Sequence, residues 1–335
     1  MLILSRLLIF RFAVPLCGLL ALSVFGFIYV NYPHLYLPVM KAMIKIPGPH
    51  PFVDWEYVPS AVRCYSEGIN VYFDNTCFTG WPDPQPFPYS PLLLRATFLK
   101  AGEHWTNVIG LSVCILFFLS LTMLPPPHDR RNLLLTLFAT LSCATFLATE
   151  RANVDLILFV MIVTGIHLRA WPLAFRLGGY GLIILGGLVK FYPFVALVVV
   201  LRERLLVIAM VILASMAALA ILLLCDHELA LMLANLPAPS YFVLQFGAAD
   251  LPGGIGVSVG KVLENLGYAD TSAARAIAPL VAHATLPILV ISAFTGALVI
   301  GRGCRLRLIE ATLPTRQLDF LVTGAALICG CFFAG

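Results

Sequence analysis

Charge is scarce in this chain of 335 residues: Asp, Glu, Lys and Arg together make up 11% of it, where a soluble domain carries about a quarter. Hydrophobic residues make up 60%, and the mean hydropathy is +0.95, so lipid and not water is the expected main solvent. Basic runs are missing too. With a formal net charge of only +4 and no Lys/Arg cluster longer than a few residues, nucleic acid is excluded as a partner. The nine cysteines contain no C-x-x-C pair, which argues against a zinc or iron–sulfur centre. Ten-residue blocks of alternating polarity are absent, which excludes an outer-membrane barrel and leaves an all-α chain.

What is present is a series of apolar runs from residue 7 almost to the end, so one helical membrane domain over 1–335 is expected, with no soluble appendage. Spans are predicted near 7–30, 105–124, 132–149, 153–168, 205–225, 276–300 and 317–334. The first follows Arg6 but lacks an A-x-A cleavage site and is too long for a signal-peptide core, so it is read as a retained span. Basic residues mark the cytoplasmic side: Arg6 and Arg11 place the N-terminus there, Arg130 and Arg131 the turn at 125–131, and Arg169 and Arg176 the turn after 168.

The stretch 178–201 is then anomalous, because it ends in Arg202 and Arg204. A single crossing would put those arginines, and Arg302, Arg305, Arg307 and Arg316 after them, on the wrong side. A hairpin of two short helices that turns near Lys190, Tyr192 and Pro193 and returns to the inside restores the rule. Twelve helical residues rise only about 18 Å, short of the roughly 30 Å hydrocarbon core. The tip therefore lies within the membrane or near its outer face, and a lysine there is a functional candidate. Under this map all of the 17 acidic residues except Asp129, Glu203, Glu310 and Asp319 fall in loops 31–104, 150–155 and 226–275 on the outer side.

Three constellations carry the chemistry. In the large first outer loop, Phe52-Val53-Asp54-Trp55-Glu56-Tyr57 leads into a helix predicted over Ala61 to Glu67, which Gly68 ends. Asp54 either caps that helix or faces a cavity as a general base. Cys64 and Cys77 share the loop, as a disulfide or as two free thiols. The proline-restricted stretch Trp81 to Pro91 is extended. Second, Thr149 to Asp155 is a polar knot between apolar helices, in which Glu150, Arg151, Asn153 and Asp155 either satisfy one another or bind a ligand. Third, Gly186 to Pro193 offers small residues for close helix approach and Lys190, which either neutralises a phosphate or snorkels to headgroups. Asp226, His227 and Glu228 form an interface cap in preference to a metal site.

In order and spacing these segments resemble the polytopic glycosyltransferases of family 87, in the GT-C superfamily. The family's acidic residue, tyrosine, alanine-containing helix and Gly-x-x-x-Tyr are matched by Asp54, Tyr57, Ala61 and Gly68 to Tyr72, and its Tyr-x-Pro by Tyr89-Ser90-Pro91. Its Glu-Arg-Gly-Asn/Gln-x-Asp resembles Glu150 to Asp155, with Ala152 in place of the usual glycine, and its Gly-Leu-x-x-Lys-x-x-Pro resembles Gly187 to Pro193. The family's final spans are missing beyond Gly335, so a C-terminal truncation is expected.

The resemblance implies a GT-C type of transmembrane bundle in a bacterial plasma (inner) membrane, with a cytoplasmic N-terminus and an extracytoplasmic active site. It implies transfer of a mannose-like hexose, with inversion, from a polyprenyl-phosphate-linked donor to a glycan or lipid acceptor. Asp54 is then the catalytic base, Arg151 and Lys190 stabilise the phosphate, and Glu150, Asn153, Asp155, Tyr57, Tyr72 and Tyr192 bind substrate. No cofactor is expected, and no metal site is demanded by the sequence. The alternative is a transporter or flippase for a polyprenyl-linked lipid, with 178–201 as a broken-helix binding element.

Overall fold

The computed structural model describes residues 2–43, 48–73, 75–80, 86–235 and 315–334, and among these the apolar sequence without strand periodicity forms helices and no strands. In chain order the helices are α1 (Leu2–Asn31), α2 (Pro33–Met43), α3 (Val53–Ser66), α4 (Pro91–Leu94), α5 (Thr106–Ser120), α6 (Arg130–Thr140), α7 (Cys143–Arg151), α8 (Val154–Leu168), α9 (Leu173–Val189), α10 (Leu205–Leu223) and α11 (Asp226–Ala234). Three 3-10 segments, Thr97–Trp105, Leu121–Met123 and Tyr192–Arg202, lie between them. Residues up to Pro237 make one compact unit. Of the second, Ala238–Gly335, one helix is described, α12 (Thr315–Ala334). The predicted span 276–300 lies outside the described residues.

Among the described residues three helices are long and apolar enough to cross a membrane: Ile9–Asn31, Thr106–Met123 and Leu205–Leu223. The sequence suggested one span at 132–149. Here α6 and α7 meet at 46°, because Ser142 caps a new helix by accepting a hydrogen bond from the Thr145 N–H at 3.3 Å. The pair makes a fourth crossing if it is taken as one broken span.

The antiparallel pair α8 and α9 sets the height of every charged group near it. Gly165 and Gly179 cross so closely that a Cβ on either would come within 2.7 Å of the other's carbonyl oxygen. That contact fixes the register. Ten residues before Gly165 is Asp155, and eleven after Gly179 is Lys190, which therefore face each other at one end of the pair. Arg169 and Arg176 face each other at the opposite end.

From Arg176 to Lys190 the α-helix rises about 21 Å, and the 3-10 segment Tyr192–Arg202 descends about 22 Å. The two lengths match, so Glu203 arrives back beside Arg176, with its Oε2 accepting from Arg176 Nη1 at 2.7 Å and its Oε1 lying 3.4 Å from Arg169 Nε. Tyr180 Oη donates to the same carboxylate at 3.0 Å. The two basic clusters flanking the hairpin thus lie at one level, with Arg169 and Arg176 of the first bound to Glu203 beside the second. Helix α10 then leads away from Glu203 for 19 residues, about 28 Å, and delivers Glu228 to the first loop, where its Oε1 accepts from Tyr65 Oη at 3.0 Å and Arg95 Nη2 at 2.9 Å.

Within the first loop, α3 begins at Val53 and not near Ala61. Its N-cap, Phe52, is left-handed (φ 65°) and makes no side-chain cap bond. Phe52 N–H donates to the Glu150 carbonyl at 2.6 Å, and its ring lies where a Cβ on Gly110 would stand, so α7 and α5 hold the start of α3. Gly68, at φ 83°, ends the helix. Cys64 and Cys77 are paired, with Cα atoms 5.6 Å apart. Their separation of 13 residues implies a stabilisation of about 3 kcal/mol by the loop-closure relation. The double change Cys64→Ser with Cys77→Ser should lower the thermal midpoint of the purified chain accordingly; an unchanged midpoint would show that the loop is held without the bridge.

Candidate active site

Four backbone segments converge at the Asp155–Lys190 end of the α8/α9 pair. The first turn of α3 brings Asp54, the α7–α8 link brings Arg151, Asn153 and Asp155, the end of α9 brings Lys190, and the segment 86–90 brings Tyr89. Left-handed backbone at Ala152 (φ 47°, ψ 48°) makes the link possible. That conformation suits glycine and strains alanine. Asn153 then caps α8, its Oδ1 accepting from the Asp155 N–H at 2.9 Å, which leaves its amide nitrogen to reach across to α3.

Asp54 is not a helix cap. Its Oδ2 accepts from Asn153 Nδ2 at 2.9 Å, and its Oδ1 stands 3.9 Å from Arg151 Nη1, near enough for attraction but beyond hydrogen-bonding range. The carboxylate is largely buried, at 16% side-chain exposure. Burial pushes its pKa above the usual carboxylate range, and outweighs the opposing pull of Arg151, Asn153 and Lys190.

Lys190 is turned toward Asp155 and Tyr89. Its Nζ donates to both Asp155 oxygens at 2.9 Å and lies 5.5 Å from the centre of the Tyr89 ring, a cation–π distance. Tyr192 Oη donates to Asp155 Oδ1 at 3.2 Å. The C-cap position explains the lysine's reach: at Lys190 the chain turns extended (φ −140°, ψ 132°) and leaves the helix.

The acids of the α7–α8 link take partners outside the link, where a self-contained turn would need none. Glu150 Oε1 instead accepts from Tyr36 Oη at 2.6 Å and Gly48 N–H at 3.1 Å, Arg151 faces Asp54 on α3, and Asp155 faces Lys190 on α9. Glu150 thus points away from Asp54, toward α2. Tyr57 and Tyr72 are buried in an aromatic cluster beneath the site: Tyr57 lies 4.8 Å from Phe78 and 6.0 Å from Phe87, and Tyr72 lies 6.2 Å from Phe87. Burial holds both hydroxyls well above their ordinary pKa.

Among the described residues no group of three or more His, Cys, Asp and Glu side chains is placed to hold a metal ion. No known protein family, curated protein or solved structure matches this chain. The site's chemistry therefore rests on its own geometry and on the motif order described above.

Tyr89, Glu228 and Glu203 belong to these networks and stood outside the residues singled out from sequence as binding substrate. Tyr89 had a signal, since it opens the Tyr-x-Pro element. Glu203 lay between the two arginines used for topology, but nothing local marked it as their neighbours' partner.

Proposed function

We propose that the chain is a membrane glycosyltransferase that moves a hexose from a polyprenyl-phosphate donor to an acceptor hydroxyl, with Asp54 as general base. The observation that carries this reading is the meeting of Asp54, a buried carboxylate of raised proton affinity, with Arg151 and Lys190 at one end of the α8/α9 pair. The motif order that resembles family 87 supports it, as does the left-handed backbone at Ala152, where the family has glycine. The Cys64–Cys77 bridge supports an outer location for the first loop, because disulfides persist in oxidising compartments.

The step balances within these residues. The acceptor oxygen attacks the anomeric carbon while its proton passes to Asp54, and the bond from that carbon to the phosphate oxygen breaks, its electron pair leaving with the phosphate. One negative charge disappears from Asp54 as one appears on the departing phosphate. Arg151 and Lys190 stabilise it there, and a fixed donor of this kind contributes about 3–4 kcal/mol. In-line displacement inverts the sugar. Lys190 shares its charge with Asp155 and Tyr89 until phosphate arrives, which keeps the half-buried cation paired.

Transport of the same lipid is the second reading, favoured by the interruption of the α9 hairpin at Lys190. An assay separates the two. Membranes carrying the chain should transfer labelled hexose from a polyprenyl-phosphate hexose to a lipid or glycan product, and the Asp54→Asn chain should not. Movement of intact donor across vesicles by both chains, with no sugar transferred, would overturn the enzyme reading.

A further inference from the structure

A second polar terminus lies behind the site. Glu150, beside Arg151 in sequence, turns its carboxylate to the other face of the α7–α8 link, where it closes the end of a cavity of about 260 Å³. Leu22, Gly26 and Tyr29 of α1 line it at helical spacing, together with Asn107 of α5, Phe52 at the start of α3, and Tyr36 of α2, whose Oη is bonded to the acid. The rest of the lining is apolar apart from Thr149. Helices α1 and α5 are two of the three long enough to cross a membrane, so the cavity lies between two lipid-facing elements.

The charge at its end selects what can enter. Among the described residues the lining contains no lysine or arginine, and the Glu150 carboxylate is held by two uncharged donors, Tyr36 Oη and Gly48 N–H. A phosphate brought here would meet the buried Glu150 carboxyl with no lysine or arginine among the described lining residues, which disfavours it. A hydroxyl would meet a strong acceptor. The cations of this region, Arg151 and Lys190, lie on the Asp54 side.

We propose that this cavity binds the apolar chain of a neutral, hydroxyl-bearing lipid, with its hydroxyls directed to Glu150. At about 260 Å³ it falls just below the range of about 300–1,000 Å³ of whole-ligand pockets. It holds one stretch of chain, and the rest of the lipid stays in the bilayer. On the glycosyl-transfer reading, on which this further assignment rests, that lipid is the acceptor. It enters from the α1/α5 side and its reacting hydroxyl passes from Glu150 to Asp54 in the transfer step, while the phosphorylated donor approaches from the Lys190 side.

Gly26 suits the test, since a Cβ there meets nothing within 4 Å and a larger side chain takes up space on the wall of the cavity. The probe is a diacylglycerol with a photoactivatable group in one acyl chain, added to the full chain in phosphatidylcholine vesicles. It should label segments 22–29 and 107–111, be displaced by unlabelled diacylglycerol, and resist phosphatidic acid of the same chain length. Gly26→Leu should cut labelling about tenfold, the effect of losing roughly two buried methylenes, while Asp54→Asn should leave it unchanged. Equal displacement by phosphatidic acid, or undiminished labelling of Gly26→Leu, would overturn the proposal, because the lipid would then merely coat the helices. Labelling as expected in a wild-type chain that transfers no sugar upholds the lipid site and sinks the acceptor assignment instead.

Discussion

An Asp54→Asn chain should fold normally and lose hexose transfer by about 10²–10⁴-fold, the contribution typical of a positioned general base. Asparagine keeps the shape of the side chain and an oxygen that can accept from Asn153 Nδ2, now 2.9 Å from the Asp54 carboxylate. The change removes only the capacity to take a proton. The wild-type pH profile adds a second mark. Protonated Asp54 cannot act as a base, so transfer should fall as pH drops through its pKa. Burial raises that pKa more than Arg151 and Asn153 lower it, so the fall should begin above the usual carboxylate range. Rates measured across pH on membranes carrying each chain check both points. A variant that turns over normally removes Asp54 from the mechanism.

The largest loss of stability should come from a residue far from that chemistry. Glu203→Gln is expected to destabilise the chain by about 3–5 kcal/mol, the range for removing one partner of a buried ion pair. The Glu203 side chain is 4% exposed and Arg169 beside it 8%, so the charge removed has little water to replace it, and Arg169 and Arg176 are left facing each other. Arg204→Gln, one position on and exposed, should shift stability within about 0.5 kcal/mol. Unfolding of both variants in detergent decides the matter. Because Glu203 anchors the return leg of the hairpin whose tip carries Lys190, the same substitution should also lower transfer. Equal, small effects from the two changes would show that the hairpin is held by packing alone.

The parts of this arrangement legible in the sequence were those with a local cause. Gly186, Gly187, Lys190 and Pro193 together interrupt a helix, and the chain leaves α9 at Lys190. The arginines around 169–176 and 202–204 required a returning chain, and Glu203 on the returning leg binds Arg169 and Arg176. Other features had no local trace. Glu150 is bound by Tyr36 and Gly48, which are 114 and 102 positions away, and no periodicity couples residues so distant. The start of α3 was hidden by Pro59, which reads as a break. Buried Val53, Trp55, Tyr57 and Val58 hold the two turns before it in place, so packing outweighs the missing backbone bond. The kink between α6 and α7 did leave a trace, in the Ser142 to Thr145 spacing, which hydrophobicity alone concealed.

Glu203 and Asp54 lie at opposite ends of the helical unit because the chain turns back at Lys190. The direct measurement uses an impermeant maleimide on chains that retain only Cys64 and Cys77 among the native cysteines, with one new cysteine each. Thr97→Cys, on the exposed face of the first loop, should label in intact cells, and Arg204→Cys only after the membrane is opened. Labelling of both from outside would contradict the hairpin and separate Lys190 from Asp54.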